Sequence, residues 1–428
     1  MTATELCTAF ATHFRDEPAC MIMQSNDHRN DPYHQYETVM AAGSVDSITI
    51  QSEHDFPVLD AFIQRHSGEW VMGHITYEFL HLLEEIPHNE DSFISLPVLH
   101  FFVPHTVIES DDTGNTKVHK CIGDPETLTN QLNRVKNITT NSDTNLTFKQ
   151  SGITKDRYLS QVKKLLQEIH LGNIYEINYC HEIRLENFNV DPYHFYNLLN
   201  TQSQSPFAAW YRQDHTHLFC ASPERFVARR GEKLICQPIK GTNRKMQDPI
   251  GNQHQIEKLQ HDEKERAENI MIVDLIRNDL SRICTPGTVQ VEELCGVYPF
   301  RFVNQMISTI TGHLRSEMQM SDILKALFPA GSMTGAPKVS AMQLISRYEQ
   351  GQRGLYSGTI GYCDPQGNWD FNVIIRSMIY DSVNRKASIS AGGAITALSD
   401  SEAEYEESLL KLESLLDLIQ MFQTKSKA

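Results

Sequence analysis

Several features that would assign this chain to other classes of protein are missing from its sequence. No window approaches the ~18 consecutive apolar residues of a membrane-spanning helix. The N-terminus lacks the basic stretch and apolar run of a secretory signal. The formal net charge is −16, so a basic surface for nucleic acid or anionic lipid is not expected. These absences predict a cytoplasmic protein that binds neither nucleic acid nor membrane.

Paired cysteines and metal-binding patterns are also missing. The nine cysteines are scattered without a Cys-x-x-Cys pair, and the nineteen histidines show no ligand spacing. Reduced, mostly structural thiols are therefore expected. No cysteine lies in a Gly-x-Cys-x-Gly turn, the setting of an amidotransferase nucleophile. The sequence contains no internal repeat and no low-complexity tract.

The residues that are present predict a mixed body of helices and strands. Of the 428 residues 40% are apolar and 21% charged, as in ordinary globular proteins. Residues 1 to about 109 alternate apolar runs with turn signals, whereas residues 110–150 are predicted to be mostly loop with one short helix. Thr154 and Gly172 bracket a predicted amphipathic helix. Further helices are predicted at roughly 253–283, 321–328, 337–348 and 402–422, and strand-like runs are HLFCASPERFVARR, KLICQPIKG, LYSGTIGYCD, DFNVIIRSMIY and KASISAGGAIT.

Two Glu-x-x-Glu pairs are candidate metal ligands: Glu265 with Glu268, and Glu404 with Glu407. Both pairs lie in predicted helices, where a spacing of three puts both side chains on one face. Four carboxylates converging from two helices would suit Mg²⁺, which binds one or two carboxylates together with water and substrate oxygens. For either pair alone, the alternative is a solvated helix face.

Lys240 and Glu224 are candidate catalytic residues. Lys240, in QPIKGTNRK, ends a predicted buried strand. Burial or a neighbouring positive charge there would lower the pKa of the amine and make it a nucleophile; the alternative is a surface lysine. Glu224, in SPERF on the preceding strand, could exchange a proton with a reacting hydroxyl. Its alternative is an ion pair with Arg225 or another arginine.

Glycine-rich segments and one arginine are candidate anion-binding groups. Gly392 and Gly393 lie in AGGAIT, a second glycine-containing segment is PAGSMTGAPK, and Arg376 lies in a strand-like run. Backbone amides and a guanidinium can clamp carboxylates. PAGSMTGAPK is not a phosphate loop, because Ala-Pro follows its second glycine. For the glycines the alternative is simple turn geometry.

Taken in order, eight segments resemble the chorismate-utilising enzymes, a family that includes anthranilate synthase component I, aminodeoxychorismate synthase component I and the isochorismate and salicylate synthases. The segments are GNIYEIN, SPERF, PIKGT, DEKERAENIMIVDLIRNDLSRICTPG, PAGSMTGAPK, GLYSGTIGY, NVIIRSM and SEAEYEESLLKL, and they cover roughly residues 154–420. One such match could arise by chance, but eight in the family's order could not.

The resemblance implies an α+β fold. Two antiparallel β-sheets would pack as a sandwich with helices on the outside, and the active site would open at one edge. Residues 151–428 would form the chorismate-binding catalytic region. Residues 1–150, where the likeness is much weaker, would be a variable N-terminal region that completes the sandwich.

The resemblance also implies roles for individual residues. Glu268 and Glu407 would hold Mg²⁺, supported by Glu265 and Glu404, and the ion would bind the ring carboxylate of chorismate. Substrate-binding positions are implied for Gly241, Thr242, Tyr356, Arg376, Gly392, Gly393 and Lys411.

Lys240 discriminates within the family, because anthranilate synthases have alanine there and aminodeoxychorismate synthases have lysine. The implied reaction makes 4-amino-4-deoxychorismate for 4-aminobenzoate and folate. Lys240 adds at C2, the C4 hydroxyl leaves with Glu224 as general acid, and ammonia then adds at C4 and expels the lysine. A separate glutamine amidotransferase subunit is the expected ammonia source, since the chain lacks the nucleophile turn and ends after its last predicted helix. Anthranilate or isochorismate synthesis, or a non-catalytic homologue, are the alternatives.

Two positions depart from the family pattern. Gln305 stands where many members have histidine, and glutamine cannot act as an acid or base, which agrees with a product that keeps its pyruvyl group. Ala394 adds a methyl group to a glycine-rich turn near the substrate.

A tryptophan pocket of the family is matched by Ser25, in MIMQSN, and by Pro206, Phe207 and Ala208. In anthranilate synthases such a pocket gives feedback inhibition, and in aminodeoxychorismate synthases it can be a structural ligand site. Both readings stay open.

Overall fold

Two antiparallel β-sheets face each other across a shared apolar layer. The computed structural model describes residues 2–28, 31–52, 55–111, 113–135 and 148–424. The strands are β1 (Ala19–Gln24), β2 (Thr38–Ala42), β3 (Asp46–Ile50), β4 (Val71–Ile75), β5 (Leu99–Val103), β6 (Thr106–Ser110), β7 (Thr116–Lys120), β8 (Lys149–Gly152), β9 (Glu176–Glu186), β10 (Phe207–Gln213), β11 (Thr216–Ser222), β12 (Arg225–Arg230), β13 (Lys233–Gln237), β14 (Ile239–Arg244), β15 (Gln290–Pro299), β16 (Val303–His313), β17 (Gly335–Ala336), β18 (Thr359–Cys363), β19 (Trp369–Val373), β20 (Ser377–Asp381) and β21 (Lys386–Thr396).

In the described part of the chain, one sheet has eleven strands and the other has ten. The spatial order of the first sheet is β17-β9-β21-β20-β11-β10-β1-β2-β6-β7, with β8 also paired to β9. The order of the second sheet is β14-β16-β13-β12-β19-β18-β4-β5-β3, with β15 paired to β16. Strands from the first 150 residues lie in both sheets; the functional division at residue 150 stays a prediction.

Helices cover the outer faces of both sheets. They are α1 (Ala3–His13), α2 (Phe56–Arg65), α3 (Pro125–Arg134), α4 (Lys155–His170), α5 (Pro192–Ser203), α6 (Pro249–Gln260), α7 (Glu263–Ser281), α8 (Met320–Leu327), α9 (Lys338–Tyr348), α10 (Ser401–Leu410) and α11 (Glu413–Thr424), with short 3₁₀ helices at Tyr77–Leu82 and Gly331–Met333. The predicted α+β sandwich is confirmed. No described helix is long and apolar enough to cross a membrane.

Local signals placed some helices correctly and joined others wrongly. The Thr154 hydroxyl accepts a hydrogen bond from the Arg157 amide, and Gly172 follows α4 with φ +79°, as predicted. The helix predicted at 253–283 is two helices, α6 and α7, because Asp262 caps the second. The helix predicted at 402–422 is also two, α10 and α11, with a turn at 411–412.

The prediction for residues 110–150 was partly wrong. It anticipated one short helix, which is α3, but missed β7, which extends the first sheet by pairing with β6. The polar composition of β7 hid it, because an edge strand with a wet face needs few apolar residues. Residues 136–147 of this loop prediction lie outside the described residues.

Two strand-like runs of the sequence each change sheets in mid-run. HLFCASPERFVARR forms β11 in the first sheet and β12 in the second, and DFNVIIRSMIY forms β19 in the second and β20 in the first. The two crossings are joined by backbone hydrogen bonds, from the Val373 amide to the Glu224 carbonyl and from the Ala221 amide to the Arg376 carbonyl. Both crossings therefore lie together, and each carries a predicted site residue.

One buried polar contact joins the sheets through their shared apolar layer. The Tyr211 hydroxyl of β10 lies 3.2 Å from His74 Nδ1 on β4 and 2.9 Å from His100 Nδ1 on β5. Burial lowers the pKa of His74 to about 3 and that of His100 to about 4, so both rings are neutral. His74 Nε2 faces the Pro97 carbonyl, so its Nδ1 is the natural acceptor of the Tyr211 proton.

Replacing this hydroxyl should destabilise the fold. Tyr211→Phe leaves two buried imidazole nitrogens without their partner, and we expect it to lower the free energy of unfolding by about 1–3 kcal/mol. Urea denaturation would measure the loss. Tyr175→Phe, at a ring that is 67% exposed, is the matched control and should change little. Equal stabilities of the two variants would contradict a role for Tyr211 in joining the sheets.

Candidate active site

A β-bulge directs Lys240 into the sandwich edge. Lys240 lies in β14, whose pairing with β16 slips between Ile239 and Thr242. Gly241 has φ +97° in this slip, a conformation that favours glycine. The Lys240 side chain is only 10% exposed, so the surface-lysine alternative is wrong.

The partner of Lys240 is Glu176, the first residue of β9. Lys240 Nζ donates to Glu176 Oε1 at 2.7 Å. Burial by itself would lower the pKa of Lys240, but the charge and hydrogen bond of Glu176 and the charges of Glu268 and Glu224 outweigh it and raise the pKa. The expectation of a lowered lysine pKa was therefore wrong for the resting chain, because the nearby charges are negative.

Glu224 lies at the first crossing, between β11 and β12, and is buried. Ser332, in the PAGSMTGAPK segment, donates its hydroxyl proton to Glu224 Oε1 at 2.6 Å. Burial raises the pKa of Glu224 to about 7, although Ser332, Lys240 and Arg376 all oppose the shift. Arg225 pairs with Asp370 and Asp31, so the ion pair with Arg225, one of the alternatives, is wrong.

The two Glu-x-x-Glu pairs face the same region from two helices. Glu268 and Glu404 are buried, so the solvated-face alternative is wrong for one member of each pair. The Glu407 side chain is 52% exposed. Burial raises the pKa of Glu265, and the charge of Glu407 on the other helix adds to this shift. Glu407 forms an ion pair with Lys411 at 2.8 Å. Lys411 Nζ also donates a hydrogen bond to the Gly392 carbonyl at 3.0 Å.

These carboxylates fit a divalent cation. Over the described ranges, no group of three or more His, Cys, Asp and Glu side chains is close enough to hold a metal by itself. A Mg²⁺ ion that takes one or two carboxylates plus water and substrate oxygens does not need such a group. Glu268 Oε1 is buried without a hydrogen-bond partner among the described residues, and burial raises the pKa of this carboxyl to about 7. The cation that pairs with Glu268 is Lys264, whose Nζ lies 3.9 Å from Glu268 Oε1.

The predicted substrate-binding residues surround these groups. A Cβ on Gly241 would lie 3.2 Å from Glu265 Oε2, and one on Gly393 would lie 3.4 Å from Glu404 Oε2, so both glycines leave room beside the carboxylates. A Cβ on Gly392 would meet the Cys180 sulfur at 2.3 Å. Thr242 follows the bulge and is exposed.

Arg376 and Tyr356 lie beyond Glu224. Arg376 is half-buried with φ +51°, and no described residue accepts a hydrogen bond from its guanidinium. Burial lowers its pKa, opposed by the charges of Glu224 and Tyr356. Tyr356 is buried and accepts a weak bond from Cys180. A guanidinium without an acceptor suits a carboxylate of a ligand.

The departures from the family pattern lie at the same edge. Gln305 on β16 is opposite Thr242 and is buried, with its Oε1 unpartnered in the described structure. Ala394 on β21 is opposite Asn178 and is only partly buried. Their effects on the reaction stay predictions.

A separate cavity of about 450 Å³ contains the residues of the predicted tryptophan pocket. Its lining includes Ser25, Pro206, Phe207 and Ala208. The wall also includes Pro223 and Ile239, which directly precede Glu224 and Lys240 in sequence. The four matched residues therefore share one cavity, whereas its ligand stays a prediction.

Glu176 and Ser332 are site residues that were missed in the sequence. Both occur in segments that carried the family resemblance, GNIYEIN and PAGSMTGAPK. The strand β9 reads EINYCHEIRLE and carries several other polar residues, so its composition did not single out Glu176. Buried Arg353 was also missed; it donates to the carbonyls of Met333 and Asn178 and so fixes the backbone next to Ser332.

The fold and this site define a class of enzyme. A model of the chorismate binding enzyme family matches residues 16–417, so the chain belongs to that family. A solved structure, anthranilate synthase component I from Streptococcus pneumoniae TIGR4, superposes with a TM-score of 0.76 at 28% identity. The superposition covers 88% of this chain and 91% of that one.

Curated relatives are similar to this chain over only part of their own length. Aminodeoxychorismate synthase component 1 of Escherichia coli (strain K12) is 38% identical over 267 residues, 62% of this chain and 58% of that protein. A probable chloroplastic aminodeoxychorismate synthase of Oryza sativa subsp. japonica is 41% identical over 261 residues, 60% of this chain and 29% of that protein. The matches thus span less than two thirds of each relative.

The raised pKa of Glu224 predicts a pH-dependent stability. The ordinary pKa is 4.5 and the folded value about 7, so the fold favours the protonated form. Its stabilising contribution is full below about pH 4.5 and is lost as the pH rises to about 7, because the unfolded chain then gains by ionisation. Glu224→Gln should therefore gain stability over the wild type across this window, by an amount on the order of 1–3 kcal/mol.

Urea denaturation at several pH values would measure this difference. Glu186→Gln, at a half-exposed carboxylate at the far end of β9, serves as the control and should show no such trend. A difference between Glu224→Gln and wild type that stays constant with pH would show that Glu224 is ionised in the fold.

Proposed function

We propose that this chain converts chorismate and ammonia to 4-amino-4-deoxychorismate, on the route to 4-aminobenzoate and folate. The observation that carries the proposal is the buried amine of Lys240, close enough to Glu224 for each charge to shift the pKa of the other. A nucleophile and a carboxyl group with a pKa of about 7 are the two groups that this substitution needs.

The lysine opens the reaction by forming a covalent adduct. The neutral amine of Lys240 adds to C2 of chorismate, both conjugated ring double bonds shift, and the C4–oxygen bond breaks. Glu224 gives its proton to the departing hydroxyl, which leaves as water. Because Ser332 donates to Oε1, the proton to be given away resides on Oε2.

Ammonia completes the substitution. Its nitrogen bonds to C4, both ring double bonds shift back, and the C2–nitrogen bond to Lys240 breaks, so the lysine leaves as an amine. The new C4 ammonium loses a proton, which restores Glu224. The amino group then stands where the hydroxyl stood, and the pyruvyl group stays on the ring.

Glu268 and Glu407, supported by Glu265 and Glu404, would hold Mg²⁺, which when bound would neutralise the ring carboxylate of chorismate. Arg376 is the candidate clamp for a second carboxylate, and the glycines at 392–393 leave room for the substrate beside Glu404. Ammonia would come from a glutamine amidotransferase subunit. The name of the Escherichia coli relative, component 1, supports a partner of this kind.

Replacing the lysine should change the product as well as the rate. With chorismate, Mg²⁺ and ammonium salt, the wild type should form 4-amino-4-deoxychorismate. Lys240→Ala should lose at least about 10²-fold of this activity and shift any residual amination to C2, because ammonia must then attack directly. Product identification by mass spectrometry checks both outcomes.

The control is Lys258→Ala, on the surface of α6. Lys338→Ala is unsuitable, because Lys338 forms a buried ion pair with Asp279. If the wild type makes anthranilate instead, the result favours the activity named for the Streptococcus pneumoniae structure. No turnover by the wild type would favour a non-catalytic homologue.

Magnesium should stabilise the chain through Glu268. Binding to the folded state raises the melting temperature in proportion to RT ln(1 + [L]/Kd), so millimolar Mg²⁺ should give a measurable increase. Glu268→Gln should abolish the increase, whereas Glu263→Gln, at an exposed position in the same helix, should keep it. An equal Mg²⁺ response of wild type and Glu268→Gln would contradict this metal site.

A further inference from the structure

Glu176 is a buried carboxylate with one oxygen engaged and one free. Its side chain is only 1% exposed. Oε1 accepts the hydrogen bond from Lys240 Nζ at 2.7 Å, and Oε2 is buried without a partner among the described residues. Glu176 opens β9, where it is paired with Ala336 of β17 and Thr396 of β21. It is therefore held by the backbone of the first sheet.

The contact spans the two sheets. Glu176 belongs to the eleven-stranded sheet and Lys240 to the edge strand of the ten-stranded sheet. The charges of Glu268 on α7 and of Glu224 at the sheet crossing also raise the pKa of the amine. Within the described chain, however, Glu176 alone forms an ion pair with it. A proton that leaves Lys240 therefore has a defined path, along the hydrogen bond that already exists.

A proton acceptor is needed because an ammonium group has no lone pair with which to attack carbon. The surrounding carboxylates keep Lys240 charged in the resting chain. Its side chain is 10% exposed, and a bound substrate would reduce its access to water further. Without a proton acceptor inside the site, Lys240 would have to lose its proton to solvent before every turnover.

We propose that Glu176 is a catalytic residue that takes the proton from Lys240 before the amine attacks and returns it when the lysine leaves. This inference rests on the proposed function. In the first step one N–H bond of Lys240 breaks and an O–H bond forms on Glu176, which leaves a neutral amine beside a neutral acid. After ammonia has displaced the amine, the same proton returns and the resting ion pair forms again.

Two substitutions separate proton transfer from simple positioning. Glu176→Gln keeps an oxygen that can accept the hydrogen bond of Lys240 but cannot take its proton. Glu176→Asp keeps the carboxylate and withdraws it by one methylene group. Glu186→Gln, at the opposite end of the same strand, is the matched control. A positioning role predicts that the Gln variant works better than the Asp variant, and proton transfer predicts the reverse.

The first measurement does not depend on the reaction. Acetic anhydride would modify the free chain from about pH 6 to about pH 9, and peptide mass spectrometry would give the rate at Lys240. Glu176→Gln should react about tenfold faster or more near neutral pH, since each unit by which the lysine pKa falls gives about ten times more free amine. An unchanged rate would overturn the proposal, because Glu176 would then not control this proton.

The second measurement follows a single turnover of chorismate with ammonium at excess enzyme. Ionisation of Glu224 above about pH 7 should lower the rate of both enzymes alike, so the readout is the ratio of the Glu176→Gln rate to the wild-type rate at each pH. This ratio should rise up to tenfold per pH unit where Lys240 of the Gln variant titrates, from about 10²-fold below one at the acid end, with chorismate affinity unchanged. Glu176→Asp should keep the wild-type profile at a lower rate.

A Glu176→Gln rate equal to the wild-type rate at every pH would overturn the proposal and leave Glu176 a positioning residue. Failure of the proposed function gives a different pattern. If the wild type does not consume chorismate with ammonium, the proposed reaction fails. The acetylation rates then still decide whether Glu176 holds the proton of Lys240.

Discussion

The structure depends on the apolar layer between two large sheets. Neighbouring residues of a strand point to opposite faces, so Ala19 and Met21 of β1 pack between the sheets while Cys20 and Ile22 pack under the outer helices. Strands buried on both faces give continuous apolar runs, which is why the strand-like segments of this sequence show little alternation. Because both faces must be covered, the polar groups of the site can gather only where the sheets end.

The edge of the sandwich concentrates charge in a place that is largely closed to water. The chain crosses between the sheets at Glu224 and at Arg376, and the bulge in β14 points Lys240 toward Glu176 on the other sheet. A charged side chain costs several kcal/mol when it loses its water without a partner, so such groups are stable only as pairs or with a bound cation. Lys240 and Glu176 satisfy each other, whereas Glu224 and Glu268 have raised pKa values.

This electrostatic arrangement changes how the lysine has to work. A lysine surrounded by apolar groups becomes a nucleophile by losing its charge in the resting state. Here the surrounding carboxylates keep the amine charged, so in the proposed reaction its proton must be passed on before the amine attacks. In this chain one residue of the facing strand, Glu176, is the ion-pair partner of that amine.

The cavity that contains Ser25 and Phe207 shares its wall with the catalytic strands. Pro223 and Ile239 line it, and each is followed by a residue of the active site. The cavity and the candidate active site are therefore adjacent along the chain at two places, at 223–224 and at 239–240.

The sequence by itself determined the features that depend on neighbours along the chain. Thr154 and Gly172 bounded α4 because caps and left-handed turns are local, and the ordered segments determined the family and with it the sandwich. Tertiary structure decided what depends on distant residues: the crossings within two apparently continuous strands, and the state of Lys240. The lysine pKa could not be predicted from its own segment, because its partner lies 64 residues away and on the other sheet. Burial and charge act through space, so their balance is fixed only when the chain has folded.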